Sequence, residues 1–559
     1  MQSTLNLFVI LTICFFLPQP TVATLLVDDS LEKSRALFLD AEKALQAGNR
    51  KQFARLKQQL TGYPLYPYLV YQELRKNLQQ KSTKTIQVFL DEYSQTPLAR
   101  RLLSAWLKQL AQQNKWQEYI DFYRDGFGIT LQCYYLEALL KTGQQEAAWP
   151  LITDVWLHKK SRPSSCDPVF KQWQEAGYQT DALTWQRISL AVDASQIRLA
   201  RYLAKSLPEK DKIYFDQWLQ LRSKPETISL TTITVNHPYR QLALTPGIEK
   251  LARKDLPPAL AVWEQFKHGV ITEPELVARA EKALSLQFLK KPSEDEIDYL
   301  IFAEPCDPDT KLQEIRIRAA MLHGQWQEVL NWLDYMPDKQ RNDDRWMYWR
   351  ARALQLTGKT AQANEIFDRL AGNRSFYGFL SADLRNKDYA MNHAELAVDD
   401  ELYADISAQP AMQRTRELLQ LERYLDARRE WYFISETFDE DELLAAAKLA
   451  HEWQWHDRAI LTLAQAKSWD DLSIRFPIEH KQFVLQESDN HKIDPAWIFA
   501  MMRQESAFMP DAQSPVGAMG LMQLMPRTAK SVAKSLKQRK PSKKELFKPE
   551  KNIKLGTAY

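Results

Sequence analysis

The chain has 559 residues, of which 45% are hydrophobic and 26% charged, with a formal net charge of +3. That length exceeds what one hydrophobic core supports, so several domains or a repeat array are expected. The composition excludes a disordered or collagenous protein, and so small a net charge argues against a dedicated nucleic-acid surface.

The first residues, MQSTLNLFVILTICFFLPQPTVAT, carry an apolar run from Leu7 to Leu17, a proline break, and Thr21 and Ala23 at the −3 and −1 positions of a cleavage site after Ala23. They read as a secretory signal peptide, 1–23, although the leader has no Lys or Arg. An uncleaved membrane anchor is the alternative, but eleven apolar-dominated residues are short for a bilayer. Cys14 leaves with the leader. In an oxidising compartment Cys133 and Cys166 are a candidate disulfide between neighbouring helices, with Cys306 left as a buried thiol. Spacing alone leaves that connectivity open, and it fits no zinc site.

From about residue 30 to 385 apolar residues recur at helical spacing. Five stretches have the form helix, tight turn, helix: ALQAGNRKQFARL around Gly48, LAQQNKWQEYI around Trp116, LLKTGQQEAAW around Gly143, MLHGQWQEVLNWL around Gly324 and ALQLTGKTAQANEIF around Gly358. Such hairpins cannot bury their apolar faces alone, so an α-superhelix or solenoid is expected over 24–385. Trp346, Tyr348, Trp349, Phe376, Tyr377 and Phe379 then read as packing residues. Pro, Thr and charge clusters between Ser206 and Pro258 signal irregular connections between shorter helices. A second compositional change at Arg385–Pro410 opens a helical linker domain, 386–474. In HEWQWH, His451 and His456 are five residues apart, about 140° around a helix, so they lack the one-face geometry of a zinc-protease helix.

The informative segment begins near 475. Asp494 caps a helix whose first position is Pro495. Ile498, Met501 and Met502 precede Glu505 by seven, four and three residues, so the carboxylate is expected on an apolar face, partly buried. Lost hydration favours its protonated form, the condition for a general acid near neutral pH. Pro510 ends that helix, Gly517 and Gly520 permit close backbone approach, and GLMQLMP restarts a helix. Ser514, Gln523 and Met525 are thereby expected around a groove beside Glu505, with Asp511 as the nearby acidic rival. From Arg527 to Lys554, eleven Lys or Arg face two Glu. A solvated exterior and electrostatic capture of substrate both remain open for that stretch.

The ordered cluster of Glu505, Ser514, Gly517, Gly520 and Gln523 resembles the first half of the active-site signature of lytic transglycosylases, a lysozyme-like family. With the leader, the helical hairpins, the linker and FYGFLSADL from Phe376, the chain resembles the soluble lytic murein transglycosylase family over most of its length. The resemblance implies an all-α protein ending in a lysozyme-like catalytic domain, 475–559, that acts on peptidoglycan glycan strands and muropeptides in the periplasm. It implies cleavage between N-acetylmuramic acid and N-acetylglucosamine with a 1,6-anhydromuramoyl product, Glu505 as acid and base, and Ser514 near the substrate N-acetyl group. Gln523 and Met525 match groove-lining positions, and Gly517 and Gly520 shape the loop. No cofactor, metal or nucleic acid is implied; cell-wall assembly or remodelling proteins are candidate partners. An inactive peptidoglycan-binding scaffold and a goose-lysozyme-like hydrolase are the alternatives. The chain has no Ala-Tyr-Asn-Ala-Gly-type segment after GTAY, so the catalytic domain is expected to be incomplete at Tyr559. Little lytic activity and an exposed face around Met501, Met502 and Phe508 are expected to follow.

Overall fold

The computed structural model describes residues 29–228, 237–288 and 310–559. The leader, Cys14 and Cys306 lie outside the described residues. The described chain is all-α, running through successive helices from Asp29 to Thr557. Only two isolated bridge pairs, Gln513 with Met519 and Met519 with Leu524, represent β pairing among these residues. None of the described helices is long and apolar enough to cross a membrane.

The five hairpin turns close alike. In each, an amide just past the turn reaches back to the carbonyl five residues earlier: Asn49 to Ala44, Lys115 to Leu110, Gln144 to Leu139, Gln325 to Ala320 and Lys359 to Leu354, at 2.8–3.0 Å. That bond satisfies a carbonyl the ending helix would leave orphaned, and it requires a left-handed residue in the turn. Gly48, Gly143, Gly324 and Gly358 supply it with φ of +70° to +84°, and Asn114 supplies it at +57° before Trp116.

Two compact units form. The first joins the described part of Met1–Leu102 to Asp400–Asp439. Its helices Asp29–Gln46, Arg50–Gln59 and Tyr66–Lys76 meet Pro410–Gln420 and Tyr424–Ser435 through buried charge. Glu417 accepts from Arg35 at 2.8 and 2.9 Å and from the Tyr63 hydroxyl at 2.7 Å. Glu430, wholly buried, accepts from Tyr68 at 2.8 Å and Arg414 at 2.9 Å. The second unit comprises Leu103–Asp399 and Glu440–Tyr559, so the stretch 386–474 is shared between the two.

In the second unit a core runs from Cys133 to Leu284 and another from Ile317 to Phe367. Cys133 and Cys166 are disulfide-bonded, with Cα atoms 4.9 Å apart. The irregular region expected over Ser206–Pro258 is more helical than its composition suggests: Arg240–Lys254 continues through Pro246 and Gly247, which are buried. Burial of the surrounding apolar face outweighs the bond that proline removes. Residues 229–236 lie outside the described residues. Trp346 is buried and Tyr348 rests on Phe367 and Tyr377, as packing residues do. Phe376 differs, standing 68% exposed at the start of its helix. There the buried Gly378 makes the close approach instead; a side chain at Gly378 would collide with the Asn373 carbonyl. After Asn386, which ends the helix with φ +51°, the chain runs without regular secondary structure as far as Asp399, with Asn392 in a left-handed turn at φ +48°. Arg374 fastens it, donating to the Met391 and Asn392 carbonyls at 2.7 and 2.8 Å and to Asp470 at 2.8 Å.

Candidate active site

Asp494 accepts from the Ala496 amide at 2.8 Å and Pro495 takes the first position of the helix Pro495–Ser506. Ala507 and Phe508, at φ +50° and +65°, stop it with a left-handed turn. The buried side of this helix is Ile498, Met502 and Ser506, the last donating its hydroxyl to the Met502 carbonyl at 3.1 Å. Trp497, 69% exposed, Met501, 41% exposed, and Glu505 form a solvent-facing stripe four residues apart.

Glu505 is therefore exposed, contrary to the partial burial expected from its apolar neighbours. At about 100° per residue it sits roughly 60° from Met502, just outside the buried arc. Counting Met501 as a flank of that arc would put Glu505 inside it, whereas Ser506 forms the flank on the other side. Among the described residues no side chain pairs with the Glu505 carboxylate. Of the apolar face expected to be open, Met501 alone is exposed; Met502 and Phe508 are buried in a cluster with Leu521, Met522 and Ile553. Two residues before Glu505, Arg503 points away, donating to the Arg475 carbonyl at 2.7 Å and lying over Phe476 at 5.6 Å. Burial, then the nearby Arg475, holds its pKa below the ordinary range.

The loop that follows is built on backbone bonds. Gly520 donates to the Ala512 carbonyl at 2.9 Å, and Met519 and Leu524 exchange two bonds of 3.0 Å. Gly520 has φ +75°, and a side chain there would collide with the Asn552 amide and the Leu546 carbonyl. Gly517, at φ +92°, turns the chain in open space. The Ser514 oxygen accepts from the Ala518 amide at 2.9 Å, which leaves its proton available to donate. The Gln523 amide nitrogen donates to the Ala512 and Gly520 carbonyls at 3.2 and 2.9 Å. Two carbonyl acceptors fix that amide's orientation, so its oxygen faces away from them. Met525, 40% exposed, opens the next helix, Pro526–Ser535. Asp511 stands exposed in the loop.

Sequence reasoning passed over Asn552. Wholly buried, it donates to the Met519 and Leu546 carbonyls at 2.9 and 2.7 Å and accepts from the Met522 amide at 2.8 Å, closing the loop onto the helix Pro549–Thr557. An asparagine inside an apolar pattern, NIKL, was the one available signal. Arg527, Lys530, Lys534, Lys537 and Lys540 of the basic stretch are exposed. His456 starts a helix with its ring 3.6 Å from Glu479. Among the described residues no three His, Cys, Asp or Glu side chains converge as metal ligands would.

Two family domains match this chain. The soluble lytic murein transglycosylase L domain covers residues 405–472, and the transglycosylase SLT domain covers 482–559, the segment holding Glu505, Ser514 and Gln523. The soluble lytic murein transglycosylase of Escherichia coli K12 is 30% identical over 555 residues, 96% of this chain and 84% of that protein. The chain belongs to the soluble lytic murein transglycosylase family. Among solved structures, an inactive glutamate-to-glutamine mutant of the lytic transglycosylase Slt from Pseudomonas aeruginosa is 32% identical with a TM-score of 0.83, over 93% of this chain and 85% of that one. The 70-kDa soluble lytic transglycosylase of E. coli is 27% identical with a TM-score of 0.81, over 95% and 86%; it has also been solved with bulgecin A. A shorter stretch of the chain is similar to a membrane-bound lytic murein transglycosylase C from Edwardsiella ictaluri, 45% identical over 83 residues, 14% of this chain and 23% of that protein.

Proposed function

We propose that this chain cleaves the β-1,4 bond between N-acetylmuramic acid and N-acetylglucosamine in peptidoglycan, leaving 1,6-anhydromuramoyl ends, with Glu505 as its acid and base. The observation that supports this reading is the SLT-domain match over 482–559, a range that includes Glu505, Ser514, Gly517, Gly520 and Gln523. An unpaired carboxylate beside an apolar stripe is a suitable proton carrier. Glu505 protonates the glycosidic oxygen as the bond to C1 breaks, and the departing sugar leaves as an alcohol. The carboxylate then takes the proton of the muramoyl C6 hydroxyl, whose oxygen bonds to C1. No water is consumed and Glu505 ends protonated, so one carboxyl group suffices where ordinary glycosidases use two.

Glycan lying over Trp497 and Met501 would strip water from Glu505 and supply the desolvation that the free protein lacks. Ser514 donates its free proton toward the substrate N-acetyl group, while Gln523 and Met525 line the groove. We assign 1–23 as an export leader, 24–385 to the helical-hairpin domain, 386–474 to the linker and 475–559 to the catalytic domain. Export to the periplasm agrees with the Cys133–Cys166 disulfide. It also puts the protein beside its wall substrate and among the proteins that assemble and remodel that wall.

Mass spectrometry of sacculi treated with residues 24–559 tests the chemistry. Anhydromuramoyl ends support it. Reducing ends would instead identify a hydrolase, and binding without cleavage that persists when residues 24–559 are extended by a relative's C-terminal segment would identify a scaffold.

A further inference from the structure

In the first unit the helices Asp29–Gln46, Arg50–Gln59 and Tyr66–Lys76 enclose an open cleft of about 770 Å³, lined by residues between Leu45 and Lys81. Clefts that hold small ligands span about 300–1,000 Å³. Four cations line this one, Arg50, Lys57, Lys76 and Lys81, against one carboxylate, Glu73. Lys57 answers Glu73 at 2.7 Å and lies 5.7 Å from the centre of the Tyr66 ring. Lys76 turns to the end of the first helix, donating to the Leu45 and Gln46 carbonyls. Arg50 and Lys81 have no partner among the described residues. The cleft therefore keeps two uncommitted cations, with the buried Phe53 and half-buried Tyr66 rings between its polar groups.

The position of Arg50 is locally unfavourable. It opens the helix Arg50–Gln59, whose first turn has no acidic residue, although a helix N-terminus repels cations. A positive charge kept where the helix dipole opposes it is better suited to a ligand than to the helix.

We propose that this cleft binds an acidic peptide, with carboxylates on Arg50 and Lys81 and aliphatic parts against Tyr66. Arg50 opens the helix Arg50–Gln59 and Lys81 follows the short turn Leu78–Gln80, so the two uncommitted cations stand on different elements. Cations so spread suit carboxylates carried on successive residues better than one compact phosphate. A flat anionic membrane would leave the buried Phe53 and half-buried Lys57 of the lining uncontacted. The site lies wholly in the first unit and shares no residue with the SLT segment, so its binding is measurable without any lytic activity and can fail while the lytic reading stands.

Isothermal titration of residues 24–559 with the synthetic peptide Ala-Glu-Glu-Ala should give saturable binding that weakens as salt rises. The neutral Ala-Gln-Gln-Ala should not bind. Arg50→Glu and Lys81→Glu should each weaken binding about tenfold, while Arg50→Glu leaves the melting temperature unchanged or higher, since it improves the helix end. Equal binding of the two peptides would overturn the proposal, as would unchanged affinity in both variants. No binding of the acidic peptide would do the same, and binding confined to phosphatidylglycerol vesicles would identify a membrane contact instead.

Discussion

A carboxylate on the flank of a helix, with water on one side and Met501 on the other, has to obtain its working environment from what binds over it. For Glu505 that makes the proton the decisive property, and Glu505→Gln the decisive exchange. The amide keeps the size and one donor but cannot carry a proton through the cycle. In any form of the chain that releases anhydromuropeptides, the rate should fall on the order of 10² to 10⁴-fold with glycan binding retained. Release at the parent rate would remove Glu505 from the mechanism. The exposed stripe makes retention of fold a safe control, because among the described residues no side chain pairs with that carboxylate. Ser514→Ala should cost less, since it removes one donated hydrogen bond and leaves the proton carrier in place. The residue type and its neighbours were legible in the sequence, but its burial was not. Three apolar residues within half a turn fit two arcs about 50° apart, and only packing against Leu521 and Ile553 selects the one centred on Met502.

The loop from Ala512 to Leu524 takes its shape from another element, which explains why the glycines were legible and their partner was not. Gly517 and Gly520 announce a turn, whereas Asn552 acts across 30 residues of sequence on the Met522 amide. Asn552→Ala would strand that amide and two carbonyls, and each buried unmet group costs about 1–3 kcal/mol. Gly520→Ala would add strain at a positive φ together with collisions, for about 1–3 kcal/mol. Hydrogen exchange over 512–524 should quicken in both variants, with little change in residues 103–228; unaltered exchange in the loop would show that it holds itself. The junction before this module is expected to respond to pH. Burial holds the imidazoles of His456 and His480 below their ordinary 6.5, with Glu479 opposing the shift in both; His451 lowers His456 a little further and Asp457 raises it. The unfolded chain therefore takes up these protons at higher pH than the folded one. Their contribution to stability is full above about pH 6.5 and is lost as pH falls toward the depressed values. His456→Gln with His480→Asn should flatten the fall in melting temperature between about pH 7.5 and 5.5, and an unchanged slope would place the sensitivity elsewhere.

At the scale of the whole molecule, helical hairpins were legible because each is local: five turns, five left-handed residues, one closing bond apiece. The first unit was not legible, because its two pieces are distant in the chain. Tyr68 and Glu430 meet across 362 residues, and the sequence of 400–439 reads like any other hairpin until its buried glutamates are seen paired. Bringing such pieces together costs closure entropy before any contact forms, so the unit rests on what happens at the contact. Glu430 is 0% exposed and the Arg414 side chain 8%. Burial also holds the Tyr68 hydroxyl well above the ordinary tyrosine range, so it remains a donor to Glu430. Removing one member of such a set leaves a charge in the interior without its counter-ion, at about 3–5 kcal/mol, whereas replacing both charges by apolar groups of similar volume is often close to neutral. Glu430→Ala should therefore lower the first thermal transition of the full chain, and Arg414→Met with Glu430→Leu should lower it less than the single exchange does, despite changing two residues. Calorimetry distinguishes the two cases. A double variant at least as damaged as Glu430→Ala would mean that the ion pair itself, and not the avoidance of a stranded Arg414, holds residues 29–102 to 400–439.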